Sequence, residues 1–200
     1  PRGILDLGCG AGWTSHFLAK AGYTVTGVDI SPDAIAIAES NIPESLRARL
    51  TFRVGDYEAN SEPGAFDYVL FYDALHHAED EEAALRTAYA ALKPGGAVIT
   101  LEPGRGHSQT NTSRNAVKQY GVHEKDMPPQ YLLKLGRRIG FLRSVVLPLP
   151  HDLTRFVYRR DYFAKKLSPV KLCLEKLWGA FRVIGGLSSQ AKGSLTIQWR

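Results

Sequence analysis

A glycine-rich loop constrains the fold of this chain more than any other feature. Residues 6–12 read DLGCGAG, with the apolar pair Ile4 and Leu5 before them and a helix-compatible run up to Ala21 after them. Because glycine has no Cβ atom, such a loop turns sharply and lets a ligand approach its backbone N–H groups. The pattern predicts a strand, a tight loop that contacts a cofactor, and a helix.

The spacing of the glycines argues against a dinucleotide cofactor. A dinucleotide fingerprint reads G-x-G-x-x-G, whereas Gly8, Gly10 and Gly12 follow G-x-G-x-G and Trp13 stands at the third-glycine position. Asp29 ends a second apolar segment 21 positions after Gly8, where a carboxylate can bind the two hydroxyl groups of a ribose. NAD and flavin dinucleotides are therefore disfavoured, and a bound ribose is expected.

Several motifs, taken in order along the chain, resemble those of the class I S-adenosylmethionine-dependent methyltransferases. They lie at residues 4–12, 28–31, 54–57 (VGDY), 66–71 (FDYVLF) and 92–99 (LKPGGAVI), and the resemblance covers residues 3–147. It implies an α/β, Rossmann-like, doubly wound sheet of seven mostly parallel strands with an antiparallel last strand. It also implies S-adenosylmethionine as the cofactor and S-adenosylhomocysteine as the product.

The alternation of short apolar segments with helical ones predicts the individual elements. Strands are expected at residues 4–7, 24–29, 50–54, 66–72, 97–101, 142–147 and 194–199. One helix is expected to begin at Ser31 with Pro32 in its first position, and two more to span residues 81–92 and 128–139. Residues 102–127 are polar and weakly patterned, which predicts a binding loop or lid.

The chain is expected to form a single methyltransferase domain, residues 1–200, with its cofactor-binding core in residues 1–147. A helical insert at residues 150–187 departs from the resembled family and precedes the last strand at residues 194–200. Val170, Leu174 and Leu177 recur at helical spacing there, which indicates an amphipathic helix. The family usually carries a helical segment before its first strand, so we expect such a segment to be missing here.

The resemblance assigns cofactor contacts to the ends of the first four strands. The loop glycines would cradle the methionine portion with their N–H groups, and Asp29 would accept hydrogen bonds from both ribose hydroxyls. Ile30 would lie along the adenine, and Asp56 would accept from the adenine amino group. The full set is Asp6, Gly8, Cys9, Gly10, Gly12, Asp29, Ile30, Asp56, Tyr57 and Phe71.

Methyl transfer from a sulfonium needs alignment of the reactants and, for a hydroxyl acceptor, a general base. The fourth strand ends in YDALHH, similar to the Leu-His-His of many small-molecule methyltransferases. His76 or His77 could accept a proton near neutral pH, although a packing role for either one stays open. Glu102, as an orienting group or second base, and His107 are further candidates.

The charge is distributed unevenly along the chain. Residues 1–100 hold 7 Lys and Arg against 14 Asp and Glu, whereas residues 101–200 hold 18 against 6. The acidic half suits a sulfonium cofactor. The basic half suits an anionic acceptor, or it is a solvated face. The insert would pack on the parent domain or a partner domain. Alternatively, its basic residues, including Arg155, Arg159 and Arg160, would provide a contact with a membrane surface or a larger protein.

These features predict methyl transfer to a hydroxyl of a small-molecule or glycan-type acceptor by a bacterial-type enzyme. Cys9 and Cys173 are the only cysteines, too few for a disulfide framework, and a reducing cytoplasm fits them. No metal site is expected, because no clear set of acidic ligands surrounds Asp73. No DNA substrate is expected, because the fourth strand lacks the amino-methylating motif. The alternative is a noncatalytic S-adenosylmethionine-binding module of a larger protein.

Overall fold

The structure, a computed structural model, describes residues 1–59, 62–149, 177 and 193–200. Its strands are β1 (Gly3–Leu7), β2 (Thr24–Asp29), β3 (Leu50–Val54), β4 (Phe66–Tyr72), β5 (Leu92–Pro103), β6 (Arg143–Leu147) and β7 (Gly193–Trp199). Its helices are α1 (Trp13–Lys20), α2 (Pro32–Ser40), α3 (Glu81–Ala91), α4 (Asn111–Tyr120) and α5 (Pro129–Ile139). Short 3-10 turns occupy Glu44–Leu46, Leu75–His77 and His107–Gln109.

The strands form a seven-stranded sheet in the order β3-β2-β1-β4-β5-β7-β6. β1 pairs in parallel with both β2 and β4, and β4 pairs in parallel with β5. β7 runs antiparallel between β5 and β6. The predicted α/β, Rossmann-like fold with one antiparallel strand is therefore confirmed.

Two apolar layers cover the two faces of the sheet. Alternate residues of a strand point to opposite faces, so Ile4 packs in one layer while Leu5 and Leu7 pack in the other. The larger layer holds the apolar side of α3 and α5, with Leu85 and Leu132 fully buried. This double coverage explains why the parallel strands are short and apolar.

Local signals in the sequence place the helix starts correctly. The Ser31 hydroxyl accepts the N–H of Ala34 at 3.2 Å, and Pro32 occupies the first helical position. The Asp80 carboxylate caps α3 in the same way. The predicted bounds of α3 and α5 agree with the structure to within one residue.

The predicted binding loop or lid at residues 102–127 contains a regular helix. Helix α4 lies inside it and begins where the Thr110 hydroxyl accepts the Ser113 N–H. It ends at Gly121, which has a left-handed backbone with φ of 68°. Only residues 121–128, here called the bridging segment, lie between α4 and α5 without helix or strand. Strand β5 is also longer than predicted.

The predicted helical insert, with its amphipathic helix and basic residues, falls outside the described residues apart from Leu177. Leu177 is helical and 64% exposed. None of the helices in the described ranges has both the length and the apolar character that a bilayer-spanning helix requires.

Candidate functional site

The predicted site residues collect at the carboxyl ends of β1 to β5. In an open α/β sheet, ligands bind at this edge where the strand order reverses, and here the reversal lies between β1 and β4. The loop after β1 carries Gly10, the end of β2 carries Asp29, and the turn after β4 carries His76 and His77. Glu102 comes from β5.

Asp29 ties the glycine loop to the end of β2. Its Oδ2 accepts the N–H of Gly10 at 2.8 Å, and its Oδ1 accepts the N–H of Ser31 at 2.9 Å. Since each carboxylate oxygen has two lone-pair sites, both oxygens keep a site for a hydroxyl donor. Asp29 thus fits a ribose while it also shapes the loop.

The loop amides do not form the predicted cradle. The Gly8 N–H donates to the Val28 carbonyl at 2.8 Å, and the Gly12 N–H donates to the Cys9 carbonyl at 2.9 Å. The Gly10 N–H is taken by Asp29. The three predicted donors therefore hold the loop itself, because β2 supplies the acceptors of Gly8 and Gly10 and the loop supplies that of Gly12.

The loop requires glycine at these three positions because glycine has no side chain. All three have positive φ, a conformation that glycine adopts without steric cost. A Cβ atom at Gly8 would lie 2.6 Å from the Cβ of Ala74, and one at Gly12 would lie 2.5 Å from Cζ of Phe52. A Cβ at Gly10 meets nothing within 4 Å. The loop is therefore packed at Gly8 and Gly12, and open to a ligand at Gly10.

Asp6 combines a structural contact with a free acceptor. Its Oδ2 accepts the Thr14 hydroxyl at 2.7 Å and the Ser15 hydroxyl at 2.5 Å, which anchors the start of α1. Its Oδ1 is buried and has no hydrogen-bond partner among the described residues. Burial raises the pKa of this carboxyl, although the Ser15 and Thr14 hydroxyls oppose the rise. A buried acceptor of this kind fits the amino group of S-adenosylmethionine.

Of the next three predicted cofactor contacts, Ile30 and Asp56 are exposed and Tyr57 is partly buried. Ile30 is 69% exposed beside Asp29, as an adenine contact requires. Asp56 is also exposed, and its Oδ1 accepts the Glu58 N–H at 2.8 Å. Tyr57 is partly buried and donates its hydroxyl to the Ala74 carbonyl at 3.2 Å.

Phe71 and Cys9 correct the predicted set. Phe71 is fully buried in the apolar core. Its ring meets the Tyr57 ring edge to face, with the two centroids 5.7 Å apart. The Cys9 side chain is buried against Gly27, and burial raises the pKa of its thiol. Both side chains shape the site from beneath, because neither reaches its surface.

Glu102 is buried and closes the turn that carries the two histidines. Its Oε1 accepts the N–H groups of Ala74 and Leu75 at 3.1 and 2.9 Å. Its Oε2 accepts the His76 N–H at 3.3 Å and lies 2.8 Å from His76 Nδ1. With four donors around it, Glu102 has no room for a substrate proton. The structure supports the predicted orienting role and contradicts the role of a second base.

His76 is a buried, oriented imidazole. Since a carboxylate only accepts hydrogen bonds, the contact with Glu102 assigns the proton to Nδ1 and the lone pair to Nε2. Burial alone would lower the pKa of this histidine, but the hydrogen bond and charge of Glu102, with Asp73 and Glu124, raise it overall. Only 2% of the residue is exposed, so His76 itself offers little surface to an acceptor.

His77 is the histidine that faces solvent. Its side chain is 38% exposed, and its ring centroid lies 3.9 Å from that of His76. Nδ1 lies 2.6 Å from the carbonyl oxygen of His123 in the bridging segment. A carbonyl only accepts, so Nδ1 carries the proton and Nε2 keeps a lone pair. His77 therefore has both the exposure and the tautomer of a general base.

The structure adds Glu124, which sequence reasoning missed. Its Oε2 lies 2.6 Å from Nε2 of His107 and 4.0 Å from Nε2 of His76. Its Oε1 lies 3.9 Å from Nδ1 of His77. Burial would raise the pKa of this carboxyl, but hydrogen bonds from Ser113 and His107 and the nearby histidines lower it. His107, predicted as a candidate, joins the site through this contact.

An aromatic pair lies at the same edge of the sheet. The rings of Trp13, after β1, and Tyr72, at the end of β4, meet edge to face with centroids 5.0 Å apart. They are 61% and 38% exposed. Exposed aromatic rings offer a planar apolar contact to a ligand. Sequence reasoning singled out Trp13 only as a missing glycine.

Two sets of three side chains place metal-ligating atoms within 4.8 Å of one another. One is His76, His77 and Glu124, and the other is Asp73, His76 and Glu102. The expectation that no clear set surrounds Asp73 is therefore wrong. In the second set, however, Glu102 already accepts four hydrogen bonds and His76 Nδ1 is one of the donors. The absence of a metal stays a prediction.

Comparisons with known proteins agree with this geometry. Residues 4–96 match the family model described as a methyltransferase domain. The chain is 36% identical over 98 residues to a ubiquinone biosynthesis O-methyltransferase of Xanthomonas campestris, covering 48% of this chain and 41% of that protein. It is 46% identical over 72 residues to a magnesium-protoporphyrin O-methyltransferase of Rhodobacter capsulatus, covering 36% and 32%. The chain thus spans less than half the length of these relatives.

A solved structure extends the likeness to the whole fold. The S-adenosylmethionine-dependent methyltransferase of Mesorhizobium loti superposes with a TM-score of 0.70 at 20% identity. The match covers all of this chain and 91% of that one. At this identity the likeness concerns the fold. With its ordered motifs, its sheet order and the domain matched over residues 4–96, the chain is similar to the class I S-adenosylmethionine-dependent methyltransferases.

Proposed function

We propose that this domain transfers a methyl group from S-adenosylmethionine to a hydroxyl group of a small-molecule acceptor, with His77 as the general base. The observation that carries the proposal is the tautomer and exposure of His77 at the carboxyl edge of the sheet. Two relatives are O-methyltransferases, which supports a hydroxyl acceptor.

The residues that would hold the cofactor follow from the site. Gly10 leaves open space, Asp29 suits the ribose, and the free Oδ1 of Asp6 suits the amino group. When bound, S-adenosylmethionine supplies an electrophilic methyl group on a positively charged sulfur. The chain supplies alignment and a base.

The base acts through a defined proton path. The acceptor oxygen would gain a bond to the methyl carbon as the carbon–sulfur bond breaks and S-adenosylhomocysteine leaves. The bond from that oxygen to its hydrogen breaks as well, and Nε2 of His77 takes the proton. His77 then carries one positive charge, with Nδ1–H still held by the His123 carbonyl. The Oε1 atom of Glu124 lies 3.9 Å from Nδ1, and its negative charge stabilises the charged ring. The proton leaves to solvent, because the ring is partly exposed.

The aromatic pair supports a planar acceptor. Trp13 and Tyr72 are exposed at the ends of neighbouring strands β1 and β4, and planar rings stack on such surfaces. A phenol or a catechol could stack on these two rings and would present a hydroxyl group. The predicted anionic acceptor rests on charge, the predicted glycan-type acceptor rests on a sequence resemblance, and the predicted contact with a membrane rests on the insert.

Transfer of a labelled methyl group tests the proposal. Purified protein is incubated with methyl-tritiated S-adenosylmethionine and four probes: catechol, phenol, a methyl glycoside and a primary amine. We expect label on the oxygen of catechol or phenol. Label on the amine alone would contradict the hydroxyl assignment. Cofactor binding without transfer to any probe would favour the noncatalytic module.

A further inference from the structure

We propose that Glu124 is the positioning residue of this site: its single carboxylate contacts His76, His77 and His107 and stabilises the positive charge that a histidine acquires with the acceptor's proton. The catalytic meaning of this inference rests on the proposed function. The electrostatic arrangement itself can be measured without any acceptor.

The contacts of Glu124 reach all three histidines of the site. The shortest joins Oε2 to His107 Nε2 at 2.6 Å, a distance typical of a charge-assisted hydrogen bond. The same oxygen lies 4.0 Å from His76 Nε2, and Oε1 lies 3.9 Å from His77 Nδ1. The His107 ring meets the His76 ring edge to face at 5.0 Å. One carboxylate thus lies at the centre of the cluster.

The bridging segment holds Glu124 in this place. The Lys125 N–H donates to the His76 carbonyl at 3.1 Å, and the Met127 N–H donates to the Pro103 carbonyl at 2.9 Å. The Met127 side chain is fully buried. These contacts fix the backbone just after Glu124 to the turn that carries His76 and to β5, so Glu124 is oriented by the fold.

The protonation states match this role. The carboxylate is 10% exposed, and its lowered pKa keeps it ionised at neutral pH. Opposite charges within about 4–6 Å favour the charged form of each other. His76, whose pKa is raised, has Glu102 on one ring nitrogen and Glu124 near the other. Glu124 therefore lies on the side of the His76 ring that faces away from Glu102 and adds to the stabilisation of its charged form.

The other charged and titratable groups around the cluster come from three elements. The turn after β4 supplies Asp73, whose Oδ1 lies 3.8 Å from His76 Nδ1. Strand β5 supplies Glu102. The bridging segment supplies His123 and Asp126, the latter close to His107. Any change in His76 titration must be measured against these groups.

The test compares Glu124→Gln with a matched control. Glu79→Gln removes an exposed carboxylate that lies 3.9 Å from Nε2 of His123, a similar distance from a histidine outside the cluster. The pKa of His76 is measured by NMR of the histidine Cε1–H signals in the folded apo protein, whose fold is checked by circular dichroism. We expect Glu124→Gln to lower it by about one pH unit, Glu124→Asp to lower it less, and Glu79→Gln to leave it unchanged.

Turnover with catechol as the probe then tests catalytic use. We expect Glu124→Gln to lower kcat about tenfold and to shift the acidic limb of its pH profile, with the KM for S-adenosylmethionine unchanged. An unchanged His76 pKa in Glu124→Gln would overturn the inference. A shifted pKa in a protein that methylates none of the probes would support the electrostatic role and count against the proposed function alone.

Chelation with EDTA should not alter turnover. A loss of turnover would overturn the inference in favour of a metal held by the same groups.

Discussion

The Oε2 atom of Glu102 lies 2.8 Å from Nδ1 of His76, and this contact joins β5 to the turn after β4. Glu102 also accepts the N–H groups of Ala74 and Leu75. One buried carboxylate thereby fixes both the backbone of the turn and the tautomer of its first histidine. The neighbouring Asp73 has a left-handed backbone with φ of 53°, so the turn needs such support.

Glu102→Gln should destabilise the fold by about 2–4 kcal/mol, because an amide nitrogen would then face buried N–H donors. Urea unfolding at neutral pH measures this change. The exposed Glu79→Gln is the control, with an expected effect near zero. A Glu102→Gln protein as stable as the wild type would show that the turn does not depend on the carboxylate.

Gly10→Ala and Gly12→Ala should separate binding from stability. Both glycines have positive φ, so each substitution strains the backbone by about 1 kcal/mol. At Gly12 the new Cβ also meets Phe52, which adds about 1–3 kcal/mol. Gly10→Ala should fold nearly as well as the wild type and bind S-adenosylhomocysteine poorly by calorimetry. Unimpaired binding would move the cofactor away from Gly10.

Asp29→Asn should weaken S-adenosylhomocysteine binding by about 1–3 kcal/mol. The amide loses one acceptor oxygen of the two that hold Gly10, Ser31 and the expected ribose. Calorimetry measures the change, with the exposed Asp33→Asn as the control. Tighter binding of NAD than of S-adenosylhomocysteine would contradict the cofactor assignment.

His77→Gln should lower turnover on the phenolic probes by roughly 10²–10⁴-fold, because it removes the base. His76→Gln should lower turnover less, because His76 is buried and acts through its neighbours. Binding of S-adenosylhomocysteine should stay within about twofold in both variants. The reverse order of effects would assign the base to His76.

Asp126 should make the free energy of unfolding depend on pH in the acidic range. Its carboxylate accepts the N–H groups of Gly106 and Ser108, each at 2.8 Å. Burial would raise its pKa, but these hydrogen bonds lower it below the usual 3.8. The stabilisation is present above pH 3.8 and is lost as the pH falls through the lowered value. The wild type should therefore exceed Asp126→Asn in unfolding free energy at pH 7, and the difference should shrink toward pH 2.

Parts of the site were predictable from the sequence where their signals lie close together along the chain. The loop glycines, Asp29 and the Ser31 cap were identified because their signals are local in sequence. Glu124 was missed because it is distant from His77 in sequence, and only the folded bridging segment brings its Oε1 within 3.9 Å of His77 Nδ1. The loop amides were assigned wrongly because the Val28 carbonyl that accepts the Gly8 N–H belongs to a neighbouring strand. The cap at Thr110 and Gly121 was present but was obscured by the polar composition of α4.

The position of β7 between β5 and β6 has a consequence for the kinetics of folding. The Thr100 and Thr196 hydroxyls lie 2.6 Å apart although 96 residues separate them, and the Gln198 side chain donates to the Leu132 carbonyl of α5. Strand β6 has no other described partner strand. Since long-range pairing costs loop-closure entropy before it is rewarded, we expect the β1–β5 half to form first. The β6–β7 half should then dock in a slower phase, and until it does, the edge of β5 is exposed to pairing with other chains.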